Sequence, residues 1–325
     1  MNEQQQMVAD MANDLFADLG ASAGVDTGWA AIEAVGLPSL MIAADDGGFG
    51  GGWDDALVVF RLAGYHALAL PVVEATVAAA LTGGAIEGRG TIASSIDGAF
   101  PEGRFTGTVS GAAWAEGASY VVAPAPALVG GSIRLNLSDA DIEPSTNIAG
   151  EPRAILRFDG AAAEALPTDV FALGALARAA QIAGALDASL AMSVAYVNER
   201  KQFGRPLAKF QAVQQSLATF ACEAAAANCA ALGAAQAQGR AGGDYAIAAA
   251  KLRANRAVGL GTALAHQVHG AIGFTHEYPL HTLTRRLWAW RSEFGGDSHW
   301  SAVLGERISA RGPDRFWADL TAVTD

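Results

Sequence analysis

The sequence predicts a mostly helical protein with a small β domain in the middle of the chain. Two patterns carry this prediction. Apolar residues recur every three or four positions over residues 1–85 and 168–325, as they do on the buried face of a helix. Between these regions, short β-type runs are separated by glycine, proline, aspartate and asparagine. We therefore expect an N-terminal helical domain (1–85), a small middle β domain (86–167) and a C-terminal helical bundle (168–325).

Composition narrows the class of protein. Hydrophobic residues make up 51% and charged residues 17% of the 325 residues, which favours a folded chain with a sizeable core. The net charge of −12 argues against general nucleic-acid binding and against docking on an anionic membrane. The start, MNEQQQMVADMANDLF, lacks the basic and apolar segments of a signal peptide, and no apolar run is expected to span a membrane. We expect a cytoplasmic protein.

The helical elements can be placed from their apolar stripes. Near the N-terminus, four apolar residues are spaced by four, at Met7, Met11, Leu15 and Leu19. The bundle should contain one long helix that ends before Gly204 and Pro206, and a second that follows them. Their predicted buried stripes are Ile182, Leu186, Leu190, Val194 and Val197, then Phe210, Val213, Leu217 and Phe220. In the middle, the runs RFTGTVSG, YVVAP and RAILRFDG predict a small antiparallel sheet.

Three minor patterns remain. The loop DDGGFGGGWDD (45–55) is glycine-rich but lacks the Gly-Lys-Ser/Thr ending of a phosphate loop. His266 and His269 could chelate a metal from one helix face, yet no acidic or cysteine ligand joins them at a usual spacing, so we predict no metal site. Cys222 and Cys229 would lie about 10.5 Å apart along a helix, too far for a disulfide, and are expected to be buried.

The densest polar cluster is AYVNERKQFGRPLAKFQAVQ (195–214), at the corner between the two long helices. Arg200 and Gln202 would stand at a helix end, before the chain reverses at Gly204. Arginine presents a rigid fork of donors suited to phosphate oxygens, and glutamine can both donate and accept. The cluster is therefore either a clamp for a pyrophosphate or a solvated helix end whose cations complement the helix dipole.

Two further stretches hold candidate site residues. In AHQVHGAIGFTHEYPLH (265–281) a helix is expected to end at Gly270, where the missing side chain lets the backbone turn or approach a ligand. In RRLWAWRSEFGGDSHW (285–300), Glu293 precedes a Gly-Gly pair. Glu293 is a candidate general base, and the alternative is a solvated acid at a helix end.

Together these motifs resemble the acyl-CoA dehydrogenase family. YVNERKQFGRPLAKFQAVQQSLA resembles that family's Arg-x-x-Phe-Gly-x-Pro and Phe-Gln pattern, and QVHGAIGFTHEYPLH resembles its Gln-x-x-Gly-Gly-x-Gly-Phe segment. The resemblance implies the family's fold, with a helical domain, a β-barrel-like middle domain and a four-helix bundle. It also implies FAD as the cofactor and an acyl-CoA substrate, desaturated between its α and β carbons after a glutamate removes the α proton.

The resemblance also assigns roles to individual residues. The matching positions would hold the ADP half of an FAD that is shared with a neighbouring subunit, and Arg200 would hold its pyrophosphate. These positions are Arg200, Gln202, Phe203, Gln211, Gln267, Val268, His269, Gly270 and Ala271.

Other positions depart from the family's pattern. The catalytic glutamate aligns with Phe294 in one branch of the family and with Gly174 in another, and the second glycine of the Gly-Gly pair is Ala271. The Thr-Glu-Pro…Gly-Ser-Asp segment that packs on the flavin ring is missing. The ADP half of the site thus resembles an intact one, and the ring half does not.

This combination resembles the short subunits of heteromeric α2β2 acyl-CoA dehydrogenases that act on steroid side chains in bacteria. We therefore expect a homologous, longer partner subunit that supplies the glutamate and the contacts to the flavin ring. The alternatives are a homo-oligomeric dehydrogenase that uses Glu293 as its base, and a flavin-free homologue that only stabilises a partner.

Overall fold

A computed structural model describes residues 2–22, 24–84, 88–129, 131–240 and 242–321. They form two compact units. The first contains the described residues of Met1–Ala21, Leu57–Leu68 and Arg178–Asp325, and the second contains those of Ser22–Ala56 and Ala69–Ala177. The domain boundaries predicted from chain order remain a prediction.

Helices dominate both ends of the chain and strands its middle, which confirms the predicted fold class. The helices are α1 (Glu3–Leu19), α2 (Val25–Ala34), α3 (Trp53–Tyr65), α4 (Val72–Thr82), α5 (Pro126–Val129), α6 (Val170–Glu199), α7 (Gln211–Gln236), α8 (Gly243–His269), α9 (Leu280–Ser292), α10 (Asp297–Arg311) and α11 (Phe316–Thr321). The strands are β1 (Gly90–Ile92), β2 (Ser95–Ala99), β3 (Arg104–Ala113), β4 (Tyr120–Ala125), β5 (Gly131–Asn136), β6 (Ala140–Glu143), β7 (Arg153–Leu166), β8 (Lys201–Gln202) and β9 (Arg205–Pro206).

Helix α1 forms where predicted but buries a different face. A capping box starts it: the Asn2 side chain accepts from the Gln5 backbone N–H at 2.8 Å, and the Gln5 side chain accepts from the Asn2 N–H. Ala12 and Phe16 are fully buried, whereas Met7 is 66% exposed. The spacing of four identified the helix correctly, but the stripe through Met7 was the wrong choice of buried face.

The second unit is built around a seven-stranded sheet with the order β1-β4-β5-β7-β3-β2, and β6 pairs with β7 off this path. Strand β7 is the hub, since it pairs antiparallel with β3, β5 and β6. The predicted antiparallel sheet is correct except for β1 and β4, which run parallel because the β2–β3 pair forms a crossover between them. Its core includes Phe105, Val121, Ile133, Leu156 and Phe158.

In the first unit α8 packs against α7, α9 and α10. Gly261 of α8 lets helices approach closely, because a Cβ there would lie 2.7 Å from the Phe220 ring of α7 and 2.8 Å from Leu186 of α6. Of the two predicted stripes, Ile182, Leu186, Val197 and Phe220 are buried, Val194 is 41% exposed, and the other four residues are half-buried. The two cysteines, Cys222 and Cys229, are free and exposed on α7, so their expected burial was wrong.

Two helices, α6 and α7, are long and apolar enough to cross a membrane by length and composition, contrary to the prediction that no run would be. In α6, 78% of the apolar window is buried inside the protein, as in a core helix. In α7 the buried share is 28%. Most of the apolar surface of α7 is therefore exposed on its unit.

Candidate functional site

The corner after α6 is a tight hairpin of β8 and β9. Phe203 (φ 52°) and Gly204 (φ 78°) form its two-residue turn, and both take the left-handed conformation that such hairpin turns require. The Arg200 carbonyl accepts from the Leu207 N–H at 2.8 Å, which closes the loop. Phe203 occupies a position that favours glycine, and its side chain is 90% exposed. The sequence therefore holds a large aromatic ring in solvent at a strained position.

Aromatic contacts brace this corner. The Arg205 guanidinium lies over the Phe210 ring, 4.2 Å from its centroid, and the Phe203 ring meets Phe210 edge-on at 6.1 Å. Arg200 and Lys201 are exposed and form no ion pair with any described residue. The corner thus offers cationic donors whose charge is not neutralised within the described chain.

The end of α8 meets the end of α6 through a ring stack. The His269 imidazole stacks on the Tyr196 ring with centroids 4.6 Å apart, and Tyr196 lies one helical turn before Arg200. His269 Nδ1 lies 2.7 Å from the Ala265 carbonyl oxygen, and Nε2 lies 3.3 Å from the Tyr278 hydroxyl oxygen. The two sequence motifs that resembled one family therefore come together at one end of the helical bundle.

The protonation of this stack follows from its partners. Burial lowers the pKa of His269, although the hydrogen bond to the Ala265 carbonyl opposes the shift, so the ring is neutral near pH 7. Because a carbonyl can only accept, Nδ1–H donates to Ala265 and Nε2 accepts from the Tyr278 hydroxyl. Burial, with Glu199 and Tyr196 adding to the effect, raises the pKa of Tyr278 and keeps that hydroxyl protonated.

The nine predicted cofactor contacts divide by exposure. Exposed residues, which can meet a ligand directly, are Arg200, Gln202, Phe203, Gln211, Gln267, Gly270 and Ala271. Val268 and His269 are 8% and 3% exposed, and both ring nitrogens of His269 are engaged inside the protein. These two buried side chains therefore support the loop from inside the protein.

The loop after α8 accommodates the departure at Ala271. Gly270 ends the helix with φ 64°, a left-handed conformation in which any side chain would be strained, and its N–H donates to the His266 carbonyl. Ala271 follows in a short 3₁₀ turn (Gly270–Phe274) and does not have a positive φ. An alanine therefore fits this backbone without strain.

The turn between α9 and α10 differs from the sequence prediction. Glu293 was expected to be a solvated acid or a base, but its side chain is 14% exposed and pairs with Arg178. Arg178 Nε lies 2.7 Å from Glu293 Oε2, and the arginine side chain is 1% exposed. The neighbouring Phe294 is 3% exposed, with the Arg178 guanidinium 5.8 Å from its ring centroid. The solvated-acid interpretation is wrong, because this carboxylate belongs to a buried ion pair.

Sequence reasoning missed Lys251, a residue of α8 whose side chain reaches this turn. Its side chain is fully buried, and Nζ donates toward four oxygens: Asn255 Oδ1 at 2.7 Å, and the Trp290, Arg291 and Gly295 carbonyls at 3.1 Å each. The signal was available, because Lys251 shares the α8 face of Ile247, Ala254 and Val258, which are buried. Lys251 therefore fastens the end of α9 and the following turn to α8.

The position of Lys251 changes its titration. Burial lowers the pKa of Lys251 to about 7, and the nearby charge of Glu293 opposes the shift. Arg178 and Arg291 lower this pKa further, while Asp297 raises it. The turn thus holds a lysine that changes charge near neutral pH, surrounded by paired charges.

Neither predicted position for a catalytic base carries a free carboxylate. Gly174 lies within α6 and has no side chain, and Phe294 is buried. Glu293 engages Oε2 with Arg178. For metals, the described residues contain no group of three or more His, Cys, Asp or Glu side chains that could hold an ion. The exposed donors at the α6–α8 end are suited to binding a ligand.

Comparison with known proteins identifies what this chain is similar to. Residues 165–299 match the family described as "Acyl-CoA dehydrogenase, C-terminal domain". The acyl-CoA dehydrogenase FadE34 of Mycobacterium tuberculosis is 32% identical over 181 residues, which are 54% of this chain and 24% of that protein. The match therefore spans about a quarter of that relative's length.

Two further similarities cover more of the chain. The acyl-CoA dehydrogenase IpdE2 of Mycolicibacterium smegmatis is 28% identical over 268 residues, 78% of each protein. A chain in the crystal structure of the ChsE4-ChsE5 complex from Mycobacterium tuberculosis superposes with a TM-score of 0.83 at 21% identity, covering 96% of this chain and 99% of that one. Residues 165–299 thus match the acyl-CoA dehydrogenase C-terminal domain, and the chain has the fold of acyl-CoA dehydrogenases of known structure.

Proposed function

We propose that this chain is a subunit of an FAD-dependent acyl-CoA dehydrogenase and that it binds the ADP half of the cofactor. The observation that carries the proposal is the gathering of exposed donors, Arg200, Gln202 and Gln267, at the end of the bundle where Tyr196 stacks on His269. The match of residues 165–299 to the acyl-CoA dehydrogenase C-terminal domain supports FAD as the cofactor.

The residues present fit a pyrophosphate and its neighbouring groups. Arg200 and Lys201 supply charge in a protein whose net charge is −12, so the corner is locally cationic. Gln202 and Gln267 can donate to phosphate or ribose oxygens and accept from ribose hydroxyls. Gly270 leaves backbone without a side chain at the loop. The donor set is therefore suited to an anionic nucleotide.

We assign removal of the α proton and the contacts to the flavin ring to a partner subunit. When bound, the flavin would accept the hydrogen removed from the β carbon of the acyl thioester. Removal of the α proton needs a carboxylate at the substrate, and the aligned positions here hold Gly174 and buried Phe294. We propose that a homologous, longer subunit supplies that carboxylate and the contacts to the flavin ring, in an assembly of two chains of each kind.

The engaged state of Glu293 weighs against the homo-oligomeric alternative. A base must offer an oxygen to the substrate at hydrogen-bond distance, and Glu293 Oε2 already accepts from Arg178 at 2.7 Å. Acyl-CoA is the proposed substrate class. A steroid side-chain thioester is the first one to test, because the sequence resembles subunits that act on such substrates.

The test is to purify the chain alone and together with a homologous longer subunit. We expect the lone chain to bind FAD poorly and to show no desaturase activity, while the pair is yellow, active and carries one FAD per pair. Flavin absorbance and an acyl-CoA assay measure both. A yellow, active homo-oligomer with one FAD per chain would defeat the proposal, and a colourless but stable pair would support the flavin-free alternative.

A further inference from the structure

Two histidine side chains meet in the turn that leads into α9. The centroids of the His276 and His281 rings lie 4.8 Å apart, and the ring planes cross at 71°. The two residues are five positions apart, a spacing that neither a helix nor a strand places on one face. They meet because the chain turns at Pro279, the N-cap of α9, whose carbonyl accepts from the Thr282 N–H at 3.0 Å. The fold therefore pairs two imidazoles that periodicity in the sequence does not pair.

A hydrogen bond of His281 determines which of its ring nitrogens is free. Its Nδ1 lies 2.9 Å from the Tyr278 carbonyl oxygen. Because a carbonyl can only accept, Nδ1 carries the proton of the neutral ring and the lone pair is on Nε2. Histidines that bind metals are commonly held in this way, with the second ring nitrogen donating to a backbone carbonyl. Among the described residues, none forms a hydrogen bond with Nε2 of His281 or with either ring nitrogen of His276.

The separation of the two rings fits a shared metal ion. With Zn–N bonds of about 2.0–2.1 Å and a tetrahedral angle between them, two coordinated imidazole rings have centroids about 5 Å apart. The separation of 4.8 Å between His276 and His281 is close to this value. Their planes cross instead of stacking, so the ring edges that carry the nitrogens can converge on one ion.

The surroundings of the pair are open to a cation and to water. His276 is exposed and His281 is half-buried, so an ion can reach both rings from solvent. The described residues contain no group of three or more His, Cys, Asp or Glu side chains around an ion, and water would therefore complete the coordination. Imidazole nitrogen suits Zn²⁺, and the net charge of −12 favours the approach of a cation.

We propose that His276 and His281 bind a Zn²⁺ ion between them, with water at its remaining positions. His281 would coordinate through Nε2 while its Nδ1–H continues to donate to the Tyr278 carbonyl. His276 lies before the Pro279 N-cap and His281 is the second residue of α9, so the ion would tie the turn to the first turn of the helix. The proposal does not depend on whether the chain binds a flavin.

Calorimetric titration of the metal-free, full-length chain with ZnCl₂ tests the site. The wild-type chain should bind one Zn²⁺ per chain with a dissociation constant in the micromolar range. His276→Gln and His281→Gln should each weaken binding by about tenfold or more, because loss of even an outer partner of a ligand costs about 10–100-fold in metal affinity. His299→Gln, at an exposed position on α10, is the matched control and should leave the affinity unchanged.

Two results of the titration would overturn the proposal. The first is an affinity that both His276→Gln and His281→Gln retain, since the ion would then bind elsewhere. The second is binding that survives in these variants and disappears in Cys222→Ser or Cys229→Ser, which would assign the ion to the exposed thiols.

Long-range ¹H–¹⁵N NMR of the wild-type chain provides a readout that needs no variant to fold. Addition of Zn²⁺ should shift the Nε2 signal of His281 and one ring nitrogen signal of His276, while Nδ1 of His281 keeps its proton. Coordination through Nδ1 of His281 would overturn the proposed geometry. Unchanged signals from both rings in the presence of Zn²⁺ would overturn the site itself.

Discussion

The corner between α6 and α7 and the turn between α9 and α10 lie in the same compact unit, but they use charge in opposite ways. At the corner, Arg200 and Lys201 are exposed and form no ion pair with any described residue. At the turn, Arg178 and Lys251 are buried and every described polar contact is made inside the protein. The exposed donors at the corner can bind a ligand, whereas the buried donors at the turn hold the protein's own backbone in place.

The comparison distinguishes residues that can bind a ligand from residues that stabilise the fold. From sequence, a carboxylate at a helix end is interpreted as a base or as a solvated acid, and in this structure Glu293 is not a solvated acid, since Arg178 pairs with it. The ion pair therefore stabilises the turn that contains Glu293 and Phe294. The predictions below test whether the turn acts on stability alone and the corner on ligand binding alone.

Arg178→Met should have the largest effect on stability. It would leave the Glu293 carboxylate buried without its partner, and breaking one side of a buried pair costs about 3–5 kcal/mol of unfolding free energy. Urea denaturation measures the loss. The control Arg134→Met removes a more exposed pair with Glu164 on the sheet and should cost less than about 1 kcal/mol. Equal losses in the two variants would mean that burial of the Arg178 pair has no special role.

Lys251→Met should come next. It would leave Asn255 and the carbonyls at the end of α9 without their donor, at about 1–3 kcal/mol for each buried acceptor that finds no other partner. Lys209→Met, at an exposed position, should change the unfolding free energy by less than about 0.5 kcal/mol. If the two lysine variants are equally stable, the four oxygens around Lys251 do not hold the turn.

The same variant gives a pH test. The pKa of Lys251 is about 7 in the folded protein and near 10.5 when unfolded, so the unfolded state binds more protons between these values. Stability of the wild type should therefore rise with pH from about 7 to about 10 and show no Lys251 contribution to the slope below 7. Lys251→Met should lose this rise in urea titrations at several pH values. A slope that is the same in both proteins would contradict the lowered pKa.

Glu293→Gln should have the smallest effect on catalysis. In the assembled dehydrogenase, turnover per bound flavin should stay within about threefold of the wild type, because a partner is proposed to supply the base. Stopped-flow or steady-state desaturation assays measure this turnover. A fall of about a thousandfold, about 4 kcal/mol of barrier, with flavin retained would instead establish Glu293 as the base of a homo-oligomeric enzyme.

Sequence reasoning located elements better than it located their faces. Periodicity identified α1, α6 and α7, but Met7 and Val194 are exposed, because an apolar spacing of four fits two neighbouring faces when alanines fill the helix. Cys222 and Cys229 were placed inside because thiols usually are, while α7 packs along one side only.

The candidate site was predictable where it depends on local sequence. The chain reversal at Gly204 and the helix end at Gly270 follow from residues within a few positions, and both were anticipated, although the hairpin that makes the reversal was not. The Arg178–Glu293 pair joins residues 115 positions apart, so no local pattern reports it. Long-range charge pairing is the part of this site that only the folded structure reveals.

The most direct test of the central claim is to ask which half of the cofactor this chain recognises. We would titrate the flavin-free assembled dehydrogenase with FAD, ADP and riboflavin, which lacks the phosphates, using wild-type chain, Arg200→Ala and the exposed control Arg104→Ala. Loss of a charge-assisted bond to phosphate should cost about 1.5–3 kcal/mol. We predict that Arg200→Ala weakens FAD and ADP binding by the same factor, leaves riboflavin binding unchanged, and that Arg104→Ala changes none of the three. Unchanged FAD and ADP affinities, or an equal loss for riboflavin, would contradict the account.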